Sequence, residues 1–294
     1  MTYPFIETCC RRKPIRKSYS RRLEELRRAL DRAEHVVIGA GAGLSAAAGL
    51  EYSGRRFTDN FGDFIARYGF TDMYTSSFYP FRTEEERWAY WARHIRLNRY
   101  DTPATDLYRM LLRAVGKKEW FVITTNVDGQ FEKAGFDRGR IFAVQGDYAY
   151  LQCAAGCHDR LYYNEEPVHE MSRNTEDCRI PSSLVPHCPV CGGTMDVNLR
   201  KDGNFVQDDR WYESRERYRS FMQGACRGNT LLLELGVGYN TPAIIRFPFE
   251  ELASRYGDIT LARVNRDFAE KRAAVHSFIP FREEMGRIIS DMAE

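Results

Sequence analysis

The sequence of 294 residues has no long hydrophobic run: segments such as Val36 to Ala40 and Leu231 to Leu235 fall far short of the roughly 20 apolar residues that cross a bilayer. No transmembrane helix and no membrane partner are therefore expected. An excess of one charge is missing as well. The 43 Lys+Arg against 41 Asp+Glu leave a formal net charge of +2, too weak a field to argue for a nucleic-acid partner. Internal repeats and low-complexity tracts are absent, which sets aside solenoid and collagen-like architectures. Eight cysteines are too sparse for a disulfide scaffold in a chain this long, and no apolar signal-peptide core precedes them. A reducing, cytoplasmic setting is expected.

What is present, 43% hydrophobic and 13% aromatic residues, suits one large globular domain or two modest ones. The first 32 residues read as a basic lead-in and a helix. Arg11, Arg12, Lys13, Arg16, Lys17, Arg21 and Arg22 face only Glu7. An organelle transit peptide or a polyanion-binding arm would share this composition; a solvated approach to the helix is the simpler reading. From Tyr19 to Ala33, Leu23, Leu26 and Leu30 recur on one helical face, which is expected to pack beside the first strand.

That strand, His35-Val36-Val37-Ile38, runs into Gly39-Ala40-Gly41-Ala42-Gly43, and Ser45 with Ala46, Ala47 and Ala48 opens a helix. Further β-branched runs at Phe121 to Ile123, Ile141 to Val144, Leu231 to Leu235 and Ile259 to Val264 suit buried parallel strands. The fold class expected is doubly wound α/β, Rossmann-like, spanning 33–151 and 201–294. Two insertions break its rhythm: an aromatic, helical stretch at 52–100, with Trp88, Trp91 and Ile95 on one face, and a cysteine-bearing stretch at 152–200 with little core of its own.

A strand running into Gly41-x-Gly43 and then a helix can hold phosphates, because glycine admits the ligand to the backbone and the helix start offers unpaired amides. The same turn also serves plain close packing. Leu44 stands where the dinucleotide fingerprint needs its third glycine, which argues against an ordinary dehydrogenase. In the second insertion Cys153 and Cys157, then Cys188 and Cys191, are spaced as two knuckles of a tetrahedral zinc site, with His158 or Cys178 as alternatives for the fourth ligand. A site closed by thiolates stabilises the fold and activates no water. Cys9, Cys10 and Cys226 are read as incidental.

The run Gly41 to Leu50 resembles the opening motif of the sirtuin (Sir2) family of NAD-consuming enzymes, and further similarities follow in family order. Thr124-Thr125-Asn126-Val127-Asp128 is similar to the family's Thr-Gln-Asn-Ile-Asp, and Gln145-Gly146 stands at its His-Gly pair. The four cysteines follow, then Gly236-Val237-Gly238 at its Gly-Thr-Ser, and Val264-Asn265 at its late Asn. The resemblance implies phosphates on Gly41, Ala42 and Gly43 with Ser45, the nicotinamide end of NAD on Asn126, Val127 and Asp128, and adenosine near Gly236, Gly238 and Asn265. Tyr52-Ser53-Gly54-Arg55-Arg56-Phe57-Thr58, Tyr148 and Gly236 to Pro242 make the chain most similar to the macrodomain-linked, class M sirtuins. The family's loop Arg falls on Arg56, on Arg55 or on neither.

Gln145 is the departure that matters. A deacylating sirtuin uses His there as general base, and an amide accepts no proton near neutral pH. General-base help is worth about 10² to 10⁴ in rate, or about 2.7 to 5.4 kcal/mol. Displacement of nicotinamide by an external nucleophile does not need that base. The resemblance thus implies an NAD-dependent protein ADP-ribosyltransferase with Asn126, Asp128 and Gln145 at its centre, Gln145 orienting the acceptor or ribose. The acceptor would be a lipoylated carrier related to the glycine-cleavage H protein, entering between the large domain and the zinc insertion, with a macrodomain hydrolase removing the mark. Two alternatives stand beside it: a deacylase or NAD hydrolase with His94 or His158 as base, and a non-catalytic NAD or ADP-ribose sensor. The absence of a basic-aromatic stripe in the cysteine insertion weighs against nucleic acid.

Overall fold

The structure, a computed structural model, describes residues 15–271 and 274–293. Cys9, Cys10, Arg11, Arg12 and Lys13, with most of the basic lead-in, lie outside them. No helix among the described residues is long and apolar enough to cross a membrane.

Strands β1 (His35–Ala40), β2 (Glu119–Thr124) and β3 (Ile141–Ala143) precede a small-lobe trio, β4 (Gly146–Cys153), β5 (Tyr162–Tyr163) and β6 (Met195–Leu199). The chain then returns to β7 (Thr230–Leu235), β8 (Ile259–Val264) and β9 (Ser277–Phe281). The main sheet has the order β3-β2-β1-β7-β8-β9 and is parallel throughout. Val36, Ile38, Val122 and Leu233 point to one apolar layer while Val37, Phe121, Ile123 and Leu232 point to the other, so both faces are covered. This is the doubly wound α/β fold.

In register, Ala40 is level with Thr124 and with Leu235, Thr124 with Ala143, and Leu235 with Val264. Five strands therefore end along one line. Because the chain leaves β1 for β2 on one side and has β7 on the other, the crevice beyond these ends is where such sheets bind ligands.

Helix Tyr19–Arg32 starts at Ser18, whose Oγ accepts from Arg21 N at 3.4 Å, and buries Leu26 and Leu30. Contrary to expectation it packs chiefly on β9 and the helix Met285–Ala293 rather than beside β1. Buried Arg22 donates to Pro280 O at 2.8 Å, and Tyr19 OH donates to Asp291 Oδ2 at 2.5 Å.

The stretch 52–100 forms short helices Arg55–Thr58, Gly62–Tyr68 and Met73–Ser76, a longer helix Glu84–Ile95 and a π-helical turn Arg96–Tyr100. Trp88, Trp91 and Ile95 are buried, and so are Ala89, Tyr90 and Ala92, so burial runs round most of this helix and leaves a strip that includes Glu84, Arg87 and Arg93 partly exposed. Its second partner is the cysteine insertion. Val168, Met171, Ile180, Val185 and Met195 join Trp88, Tyr90 and Trp91 in one apolar cluster. The two insertions share a core that neither builds alone.

Candidate active site

The turn after β1 meets the turn after β7 backbone to backbone. A Cβ on Gly43 would lie 2.7 Å from Gly236 Cα, and one on Gly236, at φ +63°, would lie 2.4 Å from Leu44 N. Gly43 N donates to Gly236 O and Gly41 N to Leu235 O, both at 3.0 Å. Close packing thus accounts for the glycines and occupies the amides of Gly41 and Gly43, leaving Ala42 as the exposed member of the turn. Gly238, further along, has open space around its Cα.

At the end of β2, Asn126 and Asp128 meet Ser45. Ser45 Oγ donates to Asp128 Oδ2 at 2.5 Å, while Gln130 N donates to Asp128 Oδ1 at 3.0 Å. Burial pushes the Asp128 carboxyl up from its usual range, and these two donors oppose the shift. With the Ser45 proton spent on Asp128, the 3.1 Å contact between Ser45 Oγ and Tyr108 OH requires Tyr108 to donate. Asn126 Nδ2 donates to Gly41 O and to Ser45 Oγ, both at 3.1 Å. Its two protons are used inward, and its Oδ1, in a half-buried residue, has no partner among the described residues and is left for a ligand. Val127 is buried and lends its carbonyl to Tyr148 N at 3.1 Å.

Gln145 follows β3 on the same edge of the sheet. Its backbone carbonyl accepts from Arg200 N at 3.0 Å, and its half-buried side-chain amide makes no hydrogen bond with the described residues. Asn265, after β8, is committed to loop structure: Nδ2 donates to Val237 O at 2.9 Å, and Oδ1 accepts from Asp267 N and Phe268 N. Beneath these loops lies a buried ion cluster. Arg263 Nε is 2.7 Å from Glu234 Oε1, and Arg246 donates to the carbonyls of Phe268 and Glu270, both at 2.8 Å.

Of the two candidates for the loop Arg, Arg56 is the one turned inward. Its guanidinium donates to Asn98 Oδ1 at 2.8 Å and Leu97 O at 3.1 Å, and burial lowers its pKa. Arg55 is exposed.

Neither histidine is placed to replace an imidazole at position 145. His94 is fully buried, its Nε2 lies 3.0 Å from Tyr148 OH, and burial with the nearby Arg56 charge lowers its pKa to about 3. His158 Nδ1 lies 3.0 Å from Cys157 Sγ and its Nε2 2.9 Å from Tyr162 OH, which ties it to the cysteine cluster.

The sulfurs of Cys153, Cys157, Cys188 and Cys191 all lie within 4.8 Å of one another, with the pairs Cys153–Cys191 and Cys157–Cys188 at 3.7 Å. Tetrahedral zinc with Zn–S bonds of about 2.3 Å sets its sulfurs about 3.8 Å apart. The four cysteines fit that ion without His158. Cys178 lies elsewhere, its thiol against Asp63 and raised by burial to about 11.

Two cavities flank these features. One of about 240 Å³ lies between β3, β4 and the helix Asp209–Ala225, lined by Asp147, Tyr150, Arg210 and Trp211. A larger one of about 810 Å³ sits under β9 beside the helix Tyr19–Arg32, away from Asn126 and Gln145.

Sequence reasoning missed Tyr108, which adjoins no motif along the chain, and the hydrogen bonds that link Tyr52 and Tyr148 to His94, which join residues far apart in sequence. Tyr108 sits among apolar residues on an amphipathic helix (Asp106–Val115) and reads as core.

Comparison with known proteins fits this picture. The sequence model of the Sir2 family matches residues 41–220. The chain is 37% identical over 248 residues to a protein ADP-ribosyltransferase of Staphylococcus aureus, covering 84% of this chain and 79% of that one. It is 32% identical over 263 residues to a probable bifunctional ADP-ribose hydrolase/ADP-ribosyltransferase of Fusarium oxysporum f. sp. cubense, covering 85% of this chain but only 43% of that longer protein. Among solved structures, a Sir2 homolog–NAD complex superposes with a TM-score of 0.55 at 15% identity, covering 92% of each chain. Sir2Tm bound to a propionylated peptide superposes with a TM-score of 0.56 at 18% identity, covering 91% of this chain and 95% of that one. The family model's match over residues 41–220 and the 37% identical relative show that this chain, with its parallel sheet and four-cysteine cluster, belongs to the Sir2 family.

Proposed function

We propose that the chain transfers ADP-ribose from NAD to an acceptor protein and releases nicotinamide. The observation that carries this reading is the pairing of an Asn126 Oδ1 left free for a ribose hydroxyl with an amide, Gln145, at the position where the sirtuin resemblance implies a proton-accepting His in deacylases. The activities by which the bacterial and fungal relatives are named support it.

In this reading the pyrophosphate of NAD lies over the exposed Ala42 turn, adenosine over Gly236, Gly238 and Asn265, and the nicotinamide ribose against Asn126, Val127 and Asp128. Ser45, bonded to both Asn126 and Asp128, sets their geometry. Arg56 fixes the loop after the glycine turn against Asn98. A nucleophile on the acceptor forms a bond to the anomeric carbon as the bond to nicotinamide breaks; nicotinamide leaves neutral and the acceptor's proton passes to solvent. Gln145 orients the acceptor or ribose without taking a proton. A zinc ion held by Cys153, Cys157, Cys188 and Cys191 would cross-link the small lobe and take no part in the chemistry.

The acceptor enters between the large and small lobes, near the cavity lined by Asp147 and Tyr150. A lipoylated carrier is the acceptor that the similarity to class M sirtuins implies, and a macrodomain hydrolase is the enzyme that reverses the mark. The fungal relative, named as a probable bifunctional hydrolase and transferase, supports that coupling.

The test is intact-mass analysis of a lipoylated carrier protein, its unlipoylated form and an acetylated peptide after incubation with NAD and the zinc-loaded chain. An ADP-ribose increment on the carrier, lost in Asn126→Ala, supports the reading. Deacetylation without any increment overturns it.

A further inference from the structure

Tyr52 and Tyr148 flank the reaction centre without a role in the scheme above, and a continuous hydrogen-bond chain joins them to the interior. Tyr52 OH is 3.2 Å from Tyr148 OH, Tyr148 OH is 3.0 Å from His94 Nε2, His94 Nδ1 is 3.3 Å from Tyr90 OH, and Tyr90 OH is 2.6 Å from Met73 O. The direction of every bond follows from the last one. A carbonyl only accepts, so the Tyr90 proton is spent on Met73. Tyr90 oxygen can then only accept from His94, which places the imidazole proton on Nδ1. In the neutral ring Nε2 is consequently an acceptor, and Tyr148 must donate to it. With its own proton spent, Tyr148 oxygen accepts from Tyr52.

The outer end of the chain is thus a hydroxyl oxygen whose proton points inward. Tyr148 N donates to Val127 O at 3.1 Å, which fastens the Tyr148 backbone to the turn that carries Asn126 and Asp128. The Asp128 charge acts on both phenols. Beyond Tyr148, the Tyr52 hydroxyl has no partner among the described residues. The ring of His94 is walled by Tyr52, Trp91 and Tyr148, with centroids at 5.4, 5.1 and 5.1 Å, so the imidazole is held in one orientation.

We propose that Tyr52 is an NAD-contacting hydrogen-bond acceptor, offering only lone pairs to an N–H or O–H donor of the nicotinamide riboside, and that His94 is the positioning residue that fixes this polarity through Tyr148. The inference rests on the placing of the nicotinamide end beside Asn126 and Asp128. A site with an amide at position 145 gains from an acceptor that needs no titration: the phenol is pinned as acceptor by geometry.

The test is calorimetric NAD binding by the full, zinc-loaded chain, which needs no acceptor protein and so separates this inference from the transferase reading. If wild type binds NAD but adds no mass to any carrier, that reading fails while the arms below still decide the inference. Tyr52→Phe keeps the ring and removes the acceptor, and is expected to weaken NAD about five- to tenfold, the loss of one hydrogen bond. His94→Leu leaves the Tyr148 proton nowhere to go but Tyr52, reversing the chain, and is expected to weaken NAD by a similar factor; the double variant should be no weaker than Tyr52→Phe alone. His94→Gln, which can accept from Tyr148 and donate to Tyr90, is expected to bind within about twofold of wild type. An analogue with acetyl in place of the nicotinamide carboxamide distinguishes the donors. If Tyr52→Phe then costs nothing, the carboxamide N–H is the donor; if the cost persists, a ribose hydroxyl is.

NAD affinity within twofold of wild type in Tyr52→Phe overturns the proposal. So does an additive double variant. Should His94→Leu fail to fold, the Tyr52→Phe result decides alone.

Discussion

Arg99 grips Asp147 with two parallel hydrogen bonds, Nε to Oδ1 at 2.8 Å and Nη2 to Oδ2 at 3.2 Å. The guanidinium reaches this position across Gly129, where a Cβ would lie 2.4 Å from Arg99 Cζ. Arg99 belongs to the π-helical turn at the end of the aromatic helix, and Asp147 stands two residues after Gln145. The pair fastens the Gln145 loop to the small lobe. Asp147→Ala is expected to cost about 1.5 to 3 kcal/mol by removing two charge-assisted hydrogen bonds from Arg99, which keeps Glu132 at 3.6 Å. Nicotinamide release should fall in the molecules that remain folded. Urea unfolding and a nicotinamide release assay at one temperature check both parts.

Asn126→Ala removes the amide that joins Gly41 O to Ser45 Oγ together with the free Oδ1. Transfer should drop on the order of 10²-fold, as for loss of one preorganised polar contact at a reacting centre, with thermal stability changed little. Steady-state kinetics beside a melting curve would show this.

Gln145→His restores a group that titrates near neutral pH. Deacylation of an acetylated peptide is expected to rise from background and to follow a limb near pH 6.5, which a pH profile of acetyl release reads directly. Wild type should show no such limb, because Gln145 does not titrate and His94 stays neutral.

The lowered pKa of His94 also has a cost in stability. Above about pH 6.5 folded and unfolded chains both hold this imidazole neutral. As the pH falls, the unfolded chain takes up a proton that the folded one refuses until about 3. Stability should therefore decline by about 1.4 kcal/mol per pH unit between about pH 6.5 and pH 3 from this residue alone. His94→Gln should flatten that part of the curve when urea midpoints are compared across the acid range.

Removal of the metal by a strong chelator is expected to release about one zinc per chain and to lower the melting temperature, as for a closed thiolate site. Cys188→Ser should do the same without chelator. Metal analysis and calorimetry are the measurements.

Much of this was legible along the chain because it was written in local chemistry. Val36 to Ile38, Leu231 to Leu235 and Ile259 to Val264 are continuous apolar runs, and a strand buried on both faces has no other way to look. The two cysteine knuckles carry their ligands within a single turn each. The edge strand β9 escaped notice because Pro280 interrupts Ser277–Phe281, and an edge position tolerates that proline. Strand β4 lacks a clean alternation, since Tyr148, Ala149, Leu151 and Gln152 are all buried. The bonds linking Tyr52 to Tyr148 and Ser45 to Tyr108 span 96 and 63 residues. Contacts of that kind are set by tertiary packing and leave no periodicity to read.

The apolar cluster in which Trp88 and Trp91 meet Val168, Met171 and Val185 ties together two excursions that leave the main sheet at different points. Neither excursion can be trimmed or transplanted by itself: cutting out the cysteine-bearing one would bare indole rings to water, and cutting out the aromatic one would strip the metal-bearing one of its floor. Gain or loss of this lobe would have to take both excursions at once, and so would any attempt to graft it onto another nucleotide-binding sheet.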